Sequence, residues 1–424
     1  MLNEPTLEER PSSADSIDED VKLFLRAPRL SRKVRHPQTG RIISFSEVGD
    51  PQGFAVICCV GMGLTRYVMA FYDELAASLK LRLITPDRPG VGESESDPSG
   101  TPLSWPDDIQ IICNSLGITK FSLLAHSAGA IYALATALRM PQHIRGRVHL
   151  LAPWIPPSQM SSIGLRPDAP PAGQLPKSQR FLRALPTSFL KVANSAFMSG
   201  TSAGISRSNS STAVLAGQPA NKRRRSLMLG RGLFESASAP SFSSATSTTT
   251  TTQKPAAEAS NRDSMLQMDR EIPTGSSLPN QPSSGTTTTT ILSDSELAAR
   301  RRLYDARLTL SIWALATHSA NPAHDLVVCL ERHRPIGFRY VDITRAVVVH
   351  HGSRDTRVPL ENVKWLGRTM PRCEVRVLEG EGHGLMASAA VMGRVLEEVG
   401  REWGEWMEVV EGRGRRAGSE AVRE

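Results

Sequence analysis

Short runs of continuous apolar sequence recur along the chain, and helical spacing follows nearly every one. "FAVICCV" (54–60) precedes "YVMAFYDELAASL" (67–79), where Val68, Phe71, Leu75 and Leu79 share a face. "LRLITPD" (81–87) precedes "PDDIQIICNSLGI" (106–118), "FSLLAH" (121–126) precedes a helix from Ala128 to Arg139, and "VHLLAP" (148–153) comes next. The pattern resumes with "AVVVHHG" (346–352), a helix at 360–370, "CEVRVLEG" (373–380) and a last helix at 389–410. A strand apolar at every position is buried on both faces. Alternation of such strands with helices builds a mostly parallel central sheet flanked by helices, an α/β fold. Upstream, residues 33–50 read as a hairpin, in which Ile43, Phe45 and Val48 lead to a turn at Gly49-Asp50-Pro51.

The alternation is interrupted in the middle. Residues 200–290 are dominated by Ser, Thr, Gly, Pro and Ala, with threonine runs at 248–252 and 286–290. Such sequence buries too little apolar surface to offset ordering the backbone at about 1–2 kcal/mol per residue. It reads as a disordered loop. Helical sequence brackets it, at 178–197 and at 295–316, the latter with Ser293 or Ser295 as N-cap. A further helix is expected at 321–333. The second of these shows two apolar stripes, one through Tyr304, Leu308, Ile312 and Leu315 and one through Leu303, Ala306, Leu310 and Trp313, so it is buried or lines a cavity. The expected organisation is a mobile tail over 1–30, core over 31–155, a helical insertion over 156–340, core again over 341–410, and a charged tail over 411–424.

The 424 residues carry a formal charge of +8, mostly scattered. The one dense run, "KRRR" at Lys222–Arg225, lies in the low-complexity stretch. It reads as solvated sequence or as a basic kinase-recognition or nuclear-import signal, and no nucleic-acid surface is implied. Five cysteines, Cys58, Cys59, Cys113, Cys329 and Cys373, show no metal-like or disulfide-like spacing and fit a reducing compartment. The acidic N-terminus lacks the apolar core of a secretory signal. No apolar run reaches the roughly 18 residues of a spanning helix. A cytoplasmic or nuclear location is expected, without stable membrane insertion. No metal or organic cofactor is implied, because neither a ligand cluster nor a phosphate-binding glycine fingerprint is present.

"LLAHSAGA" (123–130) carries the chemistry. A serine where a strand runs straight into a helix stands clear of the backbone, beside the unpaired N–H groups of the helix start. The turn needs small residues two before and two after, and Ala125 and Gly129 meet that need. Ser127 is therefore a candidate nucleophile, with helix N-capping as the plain alternative. A serine hydroxyl needs a base. His383, Gly-flanked in "EGEGHGLM" just past the last expected strand, fits, whereas His36, His143, His149, His318, His324 and His333 read as surface or packing residues. His126 is expected to point away from the serine. Asp355, in "HGSRDTRVP" after an expected strand, can hold the histidine tautomer, or cap a turn. Oxyanion donors are expected from the backbone N–H of Ala128 and, from the glycine-bearing "VGMG" loop at Gly61, of Met62.

The pieces "GDP", "VGMG", "DRPGVGES" (87–94), "AHSAGA", "HGSRDTRVP" and "GEGHGL", with Ser, Asp and His in that chain order, resemble the α/β-hydrolase superfamily of the cap-bearing kind. The resemblance covers roughly residues 33–160 and 335–408. It implies that 156–340 forms a lid, and that Phe181, Leu185, Tyr304, Leu308, Ile312 and Trp313 line an apolar pocket for a small-molecule substrate. It implies an acyl-enzyme hydrolase acting on an ester or thioester. C–C bond hydrolysis, aminopeptidase cleavage and a catalytically silent binding or scaffold protein are the alternatives. The chain departs from the family in having Val60-Gly61 where relatives carry His-Gly, and Ala125 where the elbow usually has glycine. A serine nucleophile sets it apart from the dehalogenase and epoxide-hydrolase branches, which use aspartate.

Overall fold

In the computed structural model, residues 13–160 and 293–421 are described. Eight strands form one sheet: β1 (Arg32–Arg35), β2 (Ile42–Gly49), β3 (Phe54–Cys59), β4 (Leu81–Pro86), β5 (Phe121–His126), β6 (Ile144–Leu151), β7 (Val347–Gly352) and β8 (Cys373–Leu378). Their order is β1-β2-β4-β3-β5-β6-β7-β8. The β1–β2 and β2–β4 pairs are antiparallel, and every pair from β4–β3 to β7–β8 is parallel. The hairpin is present, but its turn lies between β1 and β2, and Gly49-Asp50-Pro51 instead leads from β2 to β3.

The α-helices are α1 (Ser13–Leu25), α2 (Asp73–Ser78), α3 (Trp105–Leu116), α4 (Gly129–Arg139), α5 (Asp294–Thr317), α6 (Pro322–Cys329), α7 (Leu360–Thr369) and α8 (Ala389–Ala421). They cover both faces, because successive strand residues point to opposite sides. Ile57, Cys59, Leu123 and Ala125 pack into one core with α3, α4, α6 and α7. Val56, Cys58 and Leu124 pack into the other with α2, α5 and α8. Caps follow the sequence. Gly117 ends α3 at φ +67, in the left-handed region that glycine tolerates, and Ser293 with Glu296 forms a capping box on α5.

Four expectations are corrected. Residues 13–25 are a helix, not a mobile tail, and Ile17 and Val21 are buried. The acidic residues that hid this stripe are complements to α5: Asp18 pairs with Arg307 at 2.5 Å and Asp20 with Arg300 at 3.2 Å. The segment expected as one helix over 67–79 is a 3-10 helix, Arg66–Tyr72, followed by the short α2. Helix α8 continues through the expected charged tail to Ala421. The boundary expected at 340 is no break in packing: Ile312 and Ala316 belong to one core, while Leu326, Ile336, Phe338 and Tyr340 belong to the other. The loop over 200–290 lies outside the described residues.

Docking of α5 on the core is directly testable. Ile312 is fully buried, and Thr65 N–H donates to the Ala316 carbonyl at 2.8 Å. Ile312→Ala is expected to lower unfolding free energy by about 2–5 kcal/mol in urea titrations. An unchanged midpoint would show that α5 is not part of the cooperative core.

Candidate active site

The turn after β5 is built as the sequence requires. Ser127 has φ +51, the left-handed region that costs a residue with a side chain about 1–3 kcal/mol. Hydrogen bonds hold it there: Ser127 N–H donates to Leu151 O at 3.0 Å, and the Ser127 carbonyl accepts from Ala130 N at 3.1 Å and Trp154 N at 2.9 Å. Glycine at 129 is needed because a Cβ there would stand 2.0 Å from the Cys59 carbonyl oxygen. The start of α4 thus passes directly over the end of β3. Ala125 lies fully buried in β5, where its methyl packs into the core.

Ser127 Oγ lies 2.8 Å from His383 Nε2, and His383 Nδ1 lies 2.8 Å from Asp355 Oδ2. A carboxylate only accepts, so Nδ1 carries the ring proton and Nε2 accepts the serine hydroxyl. The other Asp355 oxygen accepts from Arg357 N–H at 2.8 Å and Val358 N–H at 3.0 Å. Burial alone would raise the Asp355 carboxyl, but the hydrogen bond and charge of His383 outweigh it and hold it below its ordinary value.

Two further histidines, one of which the sequence reading left unremarked, steady this chain. His351 is fully buried, donates from Nε2 to Val358 O at 3.0 Å and so fixes the turn that carries Asp355. His126 does not point away from the site. Its Nε2 donates to the His383 carbonyl at 2.9 Å, and the two rings lie 5.4 Å apart. The signal for His126 was its place beside Ser127. That for His351 was weaker, since only the fold shows which strand end it faces. The His383 loop also needs Gly352, where a Cβ would meet the carbonyl oxygens of Glu381 at 2.4 Å and Gly382 at 2.5 Å.

β3 lies next to β5 with Cys59 opposite Ala125, so the 60–63 loop emerges beside Ser127. A Cβ on Gly61 would stand 2.6 Å from His126 Nδ1 and 3.5 Å from Ser127 Cβ. Among the described residues, neither Met62 N–H nor Ala128 N–H is given to a backbone carbonyl. From below, the fully buried Arg88 guanidinium donates to Val60 O at 2.7 Å and Gly61 O at 3.1 Å.

The expected pocket residues fare differently. Ile312 is buried core, and Leu308 and Trp313 pack half-buried against the same core. Tyr304 is half-buried towards Asp20 and Glu74. Phe181, Leu185 and the basic Lys222–Arg225 run lie outside the described residues. A cavity of about 610 Å³ opens between the 89–105 segment and α6, against Trp105, Tyr132, Val327 and Val328; among the described residues, none of the expected site residues lines it. Among the described residues, one group has the composition of a metal site: His149, His350 and Glu398, whose ligand atoms lie within 4.8 Å of one another. Both Glu398 oxygens accept from guanidinium groups, those of Arg147 and Arg376. Two positive charges therefore already occupy the carboxylate, and the group reads as part of the ionic seam between α8 and the sheet.

The α/β-hydrolase fold family model matches residues 55–387, and the chain belongs to that family. Solved structures similar to it include an esterase from Exiguobacterium antarcticum (13% identity, TM-score 0.47, covering 87% of this chain and 97% of that one). An epoxide hydrolase from Vigna radiata is similar at 18% identity and TM-score 0.44, covering 89% and 97%. The thioesterase domain from the curacin biosynthetic pathway is similar at 16% identity and TM-score 0.45, covering 86% and 98%. No curated protein matches the chain. No helix among the described residues is long and apolar enough to cross a membrane.

Burial and the neighbouring His383 push His126 down to about 3, and burial, His149 and Arg376 push His350 down to about 4. Both are neutral when folded, while the unfolded chain takes up protons near pH 6.5. Their stabilisation is complete above that pH and is lost as pH falls through 6.5 towards 4 and 3. At pH 5 each costs roughly 2 kcal/mol relative to pH 7.5. Urea unfolding at the two pH values is expected to show this fall, and His350→Gln to remove about half of it. Equal stability at both pH values would refute the assignment.

Proposed function

We propose that this chain is a serine hydrolase that cleaves a carboxylic ester or thioester of a small to medium apolar substrate through an acyl-enzyme. The observation that carries this reading is the continuous hydrogen-bonded line from Ser127 Oγ through His383 to Asp355, each link 2.8 Å, beginning on a strained strand-to-helix turn. A serine that merely capped a helix would have no reason to sit on an imidazole backed by a buried carboxylate.

In this mechanism Nε2 of His383 takes the Ser127 proton as Oγ attacks the carbonyl carbon. The imidazolium so formed is stabilised by Asp355, already ionised and held by two backbone N–H groups. Ala128 N–H, at the start of α4, and Met62 N–H stabilise the oxyanion. His383 then protonates the leaving alcohol or thiol, and the acyl-enzyme remains. Water deprotonated by the same nitrogen attacks it, the acid leaves, and Ser127 regains its proton. His126 and His351 act on backbone carbonyls and not on the substrate, so they are positioning residues.

A fluorophosphonate probe is expected to label the wild-type chain at Ser127, and Ser127→Ala to abolish both labelling and p-nitrophenyl ester hydrolysis. Asp355→Asn, which is expected to leave the histidine in the wrong tautomer, should lower kcat on the order of 10⁴-fold. Folded wild-type protein that neither labels nor turns over any ester in an acyl-length series would overturn the proposal in favour of a silent binding protein.

A further inference from the structure

We propose that Asp325, on helix α6, is a positioning residue for the oxyanion loop, acting through Arg88 to fix the peptide that presents the Met62 N–H. The proposal rests on the serine-hydrolase reading for its catalytic consequence, but the clamp itself is a property of the fold.

The geometry is specific. Arg88 and Asp325 are 2% and 1% exposed. Arg88 Nε donates to Asp325 Oδ1 at 2.8 Å and Nη2 to Oδ2 at 2.7 Å, a two-pronged pair between residues 237 positions apart. The remaining guanidinium donors reach upward, Nη1 to Val60 O at 2.7 Å and Nη2 to Gly61 O at 3.1 Å. Asp325 Oδ2 in turn accepts from Gly63 N–H at 3.4 Å. Burial works against the Arg88 charge, but the charge and hydrogen bonds of Asp325 outweigh it and keep Arg88 more firmly protonated than usual.

The peptide unit explains why these contacts matter. The Gly61 carbonyl and the Met62 N–H belong to one planar trans peptide and point in opposite directions. Holding Gly61 O towards Arg88 therefore turns Met62 N–H the other way. The bond from Gly63 N–H pins the next peptide plane as well. Gly61 stands on one side of this peptide, and its backbone freedom lowers the resistance of the peptide to flipping. Val60, the residue before this glycine, carries no polar side chain that could hold the loop. Arg88 supplies the restraint from below, and Asp325 holds Arg88. The strained elbow fixes Ala128 N–H independently, so the clamp governs one donor of the two.

Two readouts test this. Amide hydrogen exchange across residues 60–64 reads the clamp whether or not the protein is an enzyme. Turnover divided by fluorophosphonate-titrated serine reads its catalytic effect, free of any loss of folded protein. Asp325→Asn is expected to speed exchange in the loop at least tenfold and to lower kcat per labelled serine by about 10²–10³, the worth of one oxyanion donor, with KM changed far less. Where a lone buried Arg88 charge prevents folding, the double variant Arg88→Met/Asp325→Leu removes both charges, a replacement that buried pairs often tolerate. It is expected to fold and to show the same loose loop and low kcat. Unchanged exchange in a folded variant overturns the clamp. Faster exchange with undiminished kcat per serine overturns its catalytic role. A wild-type chain that neither labels nor turns over refutes the hydrolase reading and with it the catalytic role, while exchange still decides the clamp.

Discussion

Helix α4 starts so close to the end of β3 that only a hydrogen fits between Gly129 Cα and the Cys59 carbonyl oxygen, where a Cβ would sit at 2.0 Å. The chain achieves this approach by turning through a left-handed Ser127. From that contact the rest of the site follows. It sets the elbow beside the 60–63 loop, orients the helix start towards the same space, and leaves Ser127 Oγ proud of the sheet edge. The strain at Ser127 is offset by hydrogen bonds to strands and loops on both sides, so the turn is over-determined.

The other two members of the hydrogen-bonded line arrive from the far side of the sheet. Asp355 and His383 follow β7 and β8, with β6 between them and the serine strand. Spanning that distance requires the 380–384 loop to fold back, and three local devices hold it there. The Gly352 backbone allows Glu381 and Gly382 to pass, the His126 ring takes the His383 carbonyl, and His351 secures the turn of Asp355. The alignment of this hydrogen-bonded line to within a few ångströms thus depends on neighbours that lie outside it.

The sheet and the Ser127, His383 and Asp355 positions were legible because their signals are local. Small residues around Ser127, glycines around His383 and an apolar strand before Asp355 are each read within a dozen positions. Helix α1 was hidden because its acidic residues resemble solvated sequence until the arginines of α5 stand opposite them. For Ile312 the sequence left core and cavity open, because one apolar stripe serves either, and the packing places it in a core. The Arg88–Asp325 pair was beyond reach, since no periodicity links residues so far apart in the chain.

The stretch between Met160 and Ser293 leaves the described structure at an anchored end and returns at a capped helix start. Ser158 holds Glu331 at 2.6 Å and Gln159 holds the backbone of Phe338 and Tyr340 on one side, while on the other the capping box of Ser293 and Glu296 opens α5. A single cut within that stretch divides the chain into one piece with β1 to β6 and Ser127, and a second with β7, β8, Asp355 and His383. In the intact chain the two parts meet along the β6–β7 ladder and in both cores. The Ser127–His383–Asp355 line therefore joins residues from both sides of the long insertion, and the sheet brings them together.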